Sequence, residues 1–440
     1  MKRACVLGLG VSGLAAVDFL QSKGIEVSAA DRKLPSSNDP QFQKVSRQGL
    51  TVFSDQAKID LKGCDLFVLS PGISSEHPLV LQAKKLGIEI VGEAELALRE
   101  IDQPAVAVTG TNGKTTVTLL TAHVLNRSGI KARALGNVGE PLSAYAMSPN
   151  RNEVLVVELS SYQLETLTAR VFDAAVLLNI TPDHLDRYRT MALYAQAKCR
   201  LQHCVKENGM FFVQTQAYEM CREWLSDRVQ TMGDDFSSQL WTDKVVAKYC
   251  GNVEYFLPDV YRNLGLHESV NALAAWGLCK PFGVTAEQFI AALQTFSKPA
   301  HRIEYVAEIE GVEFFDDSKG TNVDAVIHAV EAMKGPVVLI VGGVDKGASY
   351  LPWKEHFQGK VKRLVAMGQA AQKIDQELSS SFNFDHAGSL SEAVQLAKAC
   401  AEAGDCVLLS PGCSSFDMFV DYAHRGEEFK RAVLTLKSED

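Results

Sequence analysis

The stretch Thr109-Gly110-Thr111-Asn112-Gly113-Lys114-Thr115-Thr116 brings glycines, a lysine and hydroxyl side chains together. Residues 105–108 ahead of it form an apolar run that predicts a buried strand, and Val117 to Leu125 behind it predict a helix. Strand, glycine-rich turn and helix make a phosphate cradle. Glycines let backbone N–H groups face an anion, and the helix N-terminus adds partial positive charge. Lys114 would reach the β- and γ-phosphates of a nucleotide, and the Thr115 hydroxyl would ligate Mg²⁺. The general pattern has a glycine where Val108 stands, so a glycine-rich turn with a surface lysine is the plainer alternative. The flanking strand and helix favour the phosphate, with ATP as the ligand.

Further reactive side chains recur at strand ends. Glu158 closes the run Val154 to Val157, and a carboxylate just past a buried strand in a P-loop domain is placed to hold Mg²⁺. The run Ala174 to Asn179 leads into Ile180-Thr181-Pro182-Asp183-His184-Leu185-Asp186-Arg187-Tyr188. A lone histidine usually packs, but His184 falls at the same sheet edge as the cradle and reads as a site residue. Lys198, on the helix that follows, reads by itself as a solvated lysine. Gly136-Asn137-Val138-Gly139 either faces a ligand or reverses the chain.

Near the N-terminus, Gly8-Leu9-Gly10-Val11-Ser12-Gly13 separates a strand from a helix, and Asp31-Arg32 ends the next strand. This dinucleotide fingerprint suggests NAD when taken alone. Physically it requires only a pyrophosphate on a helix N-terminus, which UDP satisfies as well. Ser70-Pro71-Gly72-Ile73 closes another strand and is either a ligand loop or a plain Pro-Gly turn.

These residues need several sheets to position them. A length of 440 residues corresponds to about three domains. The expected fold is α/β: a Rossmann-like domain over 1–92, a central P-loop domain over 93–298, and a Rossmann-like α/β domain over 299–440. In the last, strands at 314–317, 337–341, 363–367 and 406–409 each end in a polar or glycine-rich loop, which suggests one sheet with a functional rim.

Hydrophobic content of 46% with 22% charged residues suits soluble domains with full cores. A net charge of −9 argues against a nucleic-acid or anionic-membrane surface. The ten cysteines include no C-x-x-C pair, which fits reduced thiols in the cytoplasm, with Cys199 and Cys204 as packing residues. Met1-Lys2-Arg3 and the apolar run after it imitate a signal peptide. Gly8, Gly10 and Gly13 interrupt that run and Asp18 closes it. No run reaches transmembrane length. The expectation is a soluble, cytoplasmic monomer.

With these residues together, the chain resembles the Mur ligase family over essentially its whole length. The family's phosphate loop is G-T-N-G-K-T/S, in which Val108 is ordinary. Glu158-Leu159-Ser160-Ser161-Tyr162-Gln163-Leu164 is similar to the E-L-S-S-F/Y-Q-L of the members that add D-glutamate. Thr181 to Tyr188, His301-Arg302, Asp317 to Asn322, Gly342 to Gly347 and Ser410 to Phe416 also fit, with Arg425-Gly426 after them.

The resemblance implies ATP-driven amide formation in the cytoplasmic stage of peptidoglycan precursor synthesis. The γ-phosphoryl group would activate the L-alanine carboxylate of UDP-N-acetylmuramoyl-L-alanine as an acyl phosphate, which the D-glutamate amine attacks. It implies ATP contacts at Gly110, Thr111, Asn112, Gly113, Lys114, Thr115, Thr116, Asn271, Arg302 and Asp317. Thr115 and Glu158 would hold one Mg²⁺, and His184 and Lys198 a second, with Lys198 carbamylated. The UDP-substrate would meet Gly10, Ser12, Gly13, Asp31, Arg32, Ser70, Gly72 and Asn137. D-glutamate would meet Lys319, Thr321, Lys346, Ser415 and Tyr422.

Two departures stand out. Where the family often has H-N-x-x-N, this chain has His267-Glu268-Ser269-Val270-Asn271, and a carboxylate accepts hydrogen bonds but donates none. Pro299-Ala300 replaces the expected Leu-Pro before His301. A sibling ligase with another amino acid, an NAD-dependent oxidoreductase and a non-catalytic nucleotide-binding regulator are the competing readings. The second leaves the cradle and the Glu158, His184 and Lys198 set without a purpose.

Overall fold

The computed structural model describes residues 3–34, 49–57, 59–232, 245–249, 252–257 and 266–439, with backbone only for 245–249, 252–257, 266–269 and 437–439. The Met1-Lys2 start and the Glu268 side chain lie outside the described residues. The chain forms two compact units, one from 1–180 with 195–296 and the other from 181–194 with 297–440.

The first unit holds two parallel sheets. In the N-terminal one, β1 (Arg3–Leu7), β2 (Glu26–Asp31), β3 (Thr51–Ser54), β4 (Leu66–Leu69) and β5 (Glu89–Gly92) lie in the order β3-β2-β1-β4-β5. In the central one, β6 (Ala105–Thr109), β7 (Ala132–Gly136), β8 (Val154–Glu158), β9 (Phe172–Leu177), β10 (Val205–Gln214) and β11 (Val229–Met232) lie in the order β11-β10-β9-β6-β8-β7. Helices cover a parallel sheet on both faces, so its inner strands are apolar throughout; β6 and β8 are accordingly buried along their whole length. The order reverses direction at β6, the switch point where open α/β sheets place ligands. β12 (Val245–Tyr249) and β13 (Asn252–Leu257) make a separate antiparallel hairpin.

The Glu93–Leu98 helix follows β5 directly and is buried at every position. It ties the two sheets into one unit. Glu93 accepts from the Ser143 N–H (2.6 Å) and hydroxyl (2.7 Å). Glu95 accepts from the Thr168 N–H and hydroxyl (both 2.7 Å) and from the Ala169 N–H (2.8 Å).

The second unit holds β14 (Glu304–Ile309), β15 (Val312–Asp316), β16 (Val337–Gly342), β17 (Val361–Met367), β18 (Phe384–Ala387) and β19 (Cys406–Leu409), in the order β14-β15-β19-β16-β17-β18. Only β14 runs antiparallel, in a hairpin with β15. The sheet therefore has two strands beyond the four read from sequence. β14 and β18 are part-exposed edge strands in which charged or polar residues interrupt the apolar ones, so they lack the continuous run that marks β16 or β19. Among the described residues no helix is long and apolar enough to cross a membrane.

Candidate active site

In the first unit, β6 delivers the chain into the glycine turn at the switch point. Gly110 has φ +151° and Gly113 has φ +84°, backbone that L side chains rarely adopt. A Cβ at Gly110 would lie 2.9 Å from the Leu178 Cβ, and one at Gly113 would strike the Asn271 side-chain carbonyl. Gly113 starts the Lys114–Arg127 helix, with no side-chain cap on its N–H groups.

Lys114 Nζ folds back to donate to the carbonyls of Gly110 and Thr111, both at 2.9 Å. Lys198 Nζ donates to the same Gly110 carbonyl at 2.7 Å. Lys198 is only 1% exposed, so the solvated lysine of the residue-by-residue reading is in fact a buried side chain against the cradle. Asn179, one residue past Leu178, faces the loop from the wall: its backbone carbonyl accepts from the Thr111 N–H and its Oδ1 from the Asn112 N–H, both at 2.8 Å.

Strand register brings the acidic group alongside. β6 pairs with β8 with Val108 opposite Glu158, and β7 pairs with β8 with Gly136 opposite Glu158. Asn137 therefore sits at the Glu158 strand end. Its N–H donates to the Glu158 carbonyl (2.9 Å) and its Nδ2 to Glu158 Oε1 (2.7 Å). Glu158 Oε2 is buried without a hydrogen-bond partner. Such orphaned buried oxygens are rare in folded proteins. An anionic hard oxygen held in place with a free lone pair fits Mg²⁺. Thr115, next to Lys114 at the start of the helix after the loop, is also buried.

On the N-terminal sheet, Asp31 Oδ2 accepts from the Leu9 N–H (2.6 Å) and Oδ1 from the Lys33 N–H (2.8 Å). Ser70 Oγ donates to the Gly8 carbonyl at 2.9 Å. Gly10 starts the Val11–Ser22 helix without a side-chain cap, which leaves its first N–H groups for an anion. Gly13 is buried in that helix, Ser12 is half-buried, and Arg32 and Gly72 are exposed.

The second unit gathers another set. His184 stands at φ +55°, a left-handed backbone uncommon outside glycine; its Nε2 lies 3.5 Å from Asp183 Oδ2. Lys346 Nζ pairs with Asp183 Oδ1 at 3.0 Å and donates to Thr321 Oγ1 at 3.2 Å. Asp317 is buried, and Ser410 Oγ donates to its Oδ2 at 2.6 Å. Burial pushes the Asp317 carboxyl up to about 7, against the pull of Ser410 and of the Arg302 charge. Lys319 Nζ rests over the Tyr422 ring, 3.7 Å from its centre. Ser415 is buried.

Arg425, 1% exposed, spans two loops of this rim: it donates to Ser318 Oγ (2.9 Å), the Ser318 carbonyl (2.8 Å) and the Cys413 carbonyl (3.2 Å). Desolvation lowers its guanidinium to about 10. His301, Glu304 and Asp316 also bring ligand atoms together. Lys430 Nζ stands 2.9 Å from Glu304 and 4.0 Å from Asp316, so this cluster already has its cation.

The first unit thus collects Lys114, Thr115, Asn137, Glu158, Lys198 and Asn271, and the second collects His184, Asp317, Lys319, Thr321, Lys346 and Tyr422. His184 and Lys198, expected to share an ion, belong to different units. Sequence reasoning gave no individual role to Asn179, Asp183, Ser410 or Arg425. Asp183, Ser410 and Arg425 lie within stretches that fit the family, and Asn179 was legible only as a polar residue just past a buried run.

A nucleotide cradle at a switch point, with a buried carboxylate on the neighbouring strand, defines a P-loop α/β enzyme. Residues 2–92 match the family description "Mur ligase MurD-like, N-terminal domain", 108–279 "Mur ligase middle domain" and 301–413 "Mur ligase, glutamate ligase domain". The chain belongs to the Mur ligase family. It is 48% identical over 436 residues to a UDP-N-acetylmuramoylalanine--D-glutamate ligase of Protochlamydia amoebophila, covering 99% of this chain and 98% of that protein. A relative of the same name from Caldanaerobacter subterraneus is 40% identical, with 99% of each chain covered. In fold it is similar to the UDP-N-acetylmuramate-alanine ligase MurC of Thermotoga maritima, with TM-score 0.60 at 17% identity and 100% of both chains covered.

Proposed function

We propose that this protein is an ATP-dependent, ADP-forming ligase that joins D-glutamate to UDP-N-acetylmuramoyl-L-alanine in the cytoplasm, acting as a monomer. The observation that carries the reading is Glu158: a buried carboxylate with one oxygen free, one strand from the glycine cradle. The choice of substrates rests on the stretch Glu158 to Leu164 together with the names of the relatives spanning the whole chain.

In this reading the domains are 1–92 for the UDP-substrate, 93–298 for ATP and 299–440 for the amino acid. Gly10, Ser12, Gly13, Asp31, Arg32, Ser70 and Gly72 bind the UDP moiety. Asn137, already bonded to Glu158, orients that carboxylate as well as meeting substrate. The loop from Gly110 to Thr116 holds the ATP phosphates, and Asn271, Arg302 and Asp317 hold the nucleoside. Thr115 and Glu158 hold one Mg²⁺, and His184 and carbamylated Lys198 hold a second. When bound, the ions neutralise phosphate charge.

The chain's own part is positioning. Lys114 leaves the loop carbonyls to hold the transferring phosphoryl group, which lowers the barrier through charge neutralisation. The substrate carboxylate attacks the γ-phosphorus in line and ADP leaves. The D-glutamate amine then attacks the acyl carbon, loses a proton, and expels phosphate. Lys319, Thr321, Lys346, Ser415 and Tyr422 aim that amine and bind its carboxylates, so the reaction draws on pre-paid orientation.

The test is phosphate release from ATP and Mg²⁺ with UDP-N-acetylmuramoyl-L-alanine, comparing D-glutamate, L-glutamate and no amino acid. Release that requires D-glutamate supports the reading. Release with another amino acid moves the acceptor, and no release under any condition overturns the ligase.

A further inference from the structure

Three hydrogen bonds join Asn179 to the tip of the glycine cradle. The Thr111 N–H donates to the Asn179 carbonyl at 2.8 Å, and the Asn112 N–H donates to Asn179 Oδ1 at 2.8 Å. In return, Asn179 Nδ2 donates to the Asn112 carbonyl at 3.2 Å. The side-chain amide thus mimics a β-bridge to one residue of the loop, Asn112, using both its acceptor and its donor. The strand beneath is pinned as well, since the Leu178 N–H donates to the Thr109 carbonyl at 3.0 Å.

This matters because ordering the loop is costly. Gly110 and Gly113 both stand at positive φ, and glycine backbone is the most costly to order. A phosphate site gains from donors fixed before the ligand arrives. Asn179 takes up the N–H groups of Thr111 and Asn112, so the loop presents its other edge, the uncapped helix start from Gly113 onward. We infer that Asn179 is a positioning residue that sets which N–H groups of the 110–116 loop face the phosphates of ATP. The inference rests on the ATP-dependent ligase reading above. Lys198, on the Met191–Cys199 helix, donates to the Gly110 carbonyl and holds the loop's first residue while Asn179 holds its middle.

The experiment uses the full chain as Asn179→Ala and Asn179→Asp, assayed by phosphate release with all substrates varied in turn. Asn179→Asp keeps the acceptor for the Asn112 N–H and loses the donor to its carbonyl. Asn179→Ala is expected to lower kcat/KM for ATP about tenfold or more, the scale of two lost hydrogen bonds. KM for D-glutamate and for the UDP-substrate stays within twofold, and Asn179→Asp falls between Asn179→Ala and the parent. Amide exchange at Thr111 and Asn112 speeds up in Asn179→Ala. Unchanged ATP kinetics together with unchanged exchange at these two amides overturns the inference. So does an equal loss across all three substrates, or a uniform fall in thermal midpoint that accounts for the lost activity. Failure of the parent enzyme to release phosphate overturns the ligase reading instead, and the amide exchange arm still decides whether Asn179 holds the loop.

Discussion

Asn137 Nδ2 donates to Glu158 Oε1 at 2.7 Å and thereby leaves Oε2 as the one oxygen of that buried carboxylate without a partner. The asparagine fixes which oxygen is free. Glu158→Gln removes the charge but keeps the shape, so the fold should hold. Phosphate release should fall by about two orders of magnitude, the scale of losing an electrostatic contact to the transferring group. A Mg²⁺ titration checks it: the Gln variant should need far more Mg²⁺ than the parent for its residual rate, and chelation should abolish the rate in both. Asn137→Ala should act in the same direction and more weakly.

Lys198 is buried, with its Nζ against the Gly110 carbonyl. Lys198→Ala should lose most activity, and added short-chain carboxylates should restore part of it if a carbamate is what the site requires. Measured rescue that saturates with carboxylate concentration would support carbamylation, and flat activity would leave Lys198 as a loop tether alone. Lys114→Ala should abolish turnover with the thermal midpoint near the parent's, since its bonds to the Gly110 and Thr111 carbonyls stay within the loop itself.

The cradle was readable because its chemistry is local: glycines, lysine and threonine stand within one turn of each other. So was the three-sheet α/β plan, because β1, β6, β8, β16 and β19 are unbroken apolar runs. What escaped was set by register between distant strands. Asn137 reaches Glu158 only because β7 and β8 pair with Gly136 opposite Glu158. Asn179 meets Asn112 across the β6–β9 pairing, and Ser410 meets Asp317 because β15 lies beside β19. No spacing rule marks such pairs along the chain. The same limit hid the pairing of Asp183 with Lys346, which groups 181–194 with the C-terminal residues.

Asp317 gives a pH dependence with a definite sign. Burial raises its carboxyl from the ordinary 3.8 to about 7, with Ser410, Arg302 and the backbone of Ile303 pulling it down and Asp316 pushing it up. A carboxyl raised on folding favours the native state below about 3.8, and that contribution is lost as pH rises to about 7. If ionised Asp317 is what binds the nucleoside, KM for ATP should fall as pH rises through this range. Ser410→Ala removes one stabiliser of the anion and should move the acid limb of kcat/KM for ATP to higher pH, while Asp317→Asn should flatten it. A limb that stays fixed in both variants assigns the titration to another group.

Glu95 carries the opposite sign. Desolvation would raise its carboxyl, but hydrogen bonds from Thr168, Ala169 and Arg99 outweigh that and hold it below the ordinary carboxylate range. A carboxyl lowered on folding contributes stability above its unfolded value near 4.5, and the contribution disappears as pH falls through the folded value. Glu95→Gln keeps one acceptor but turns an NH₂ toward donors that need a partner, with the side chain only 2% exposed. It should cost about 2 kcal/mol or more at neutral pH. Thermal midpoints from pH 3 to 7 check both parts. The parent should lose stability in acid more steeply than the variant, so the two curves converge at the acid end. Parallel curves would mean that the clasp between the Glu93–Leu98 helix and the Thr168 turn is held by packing and not by the charge on Glu95.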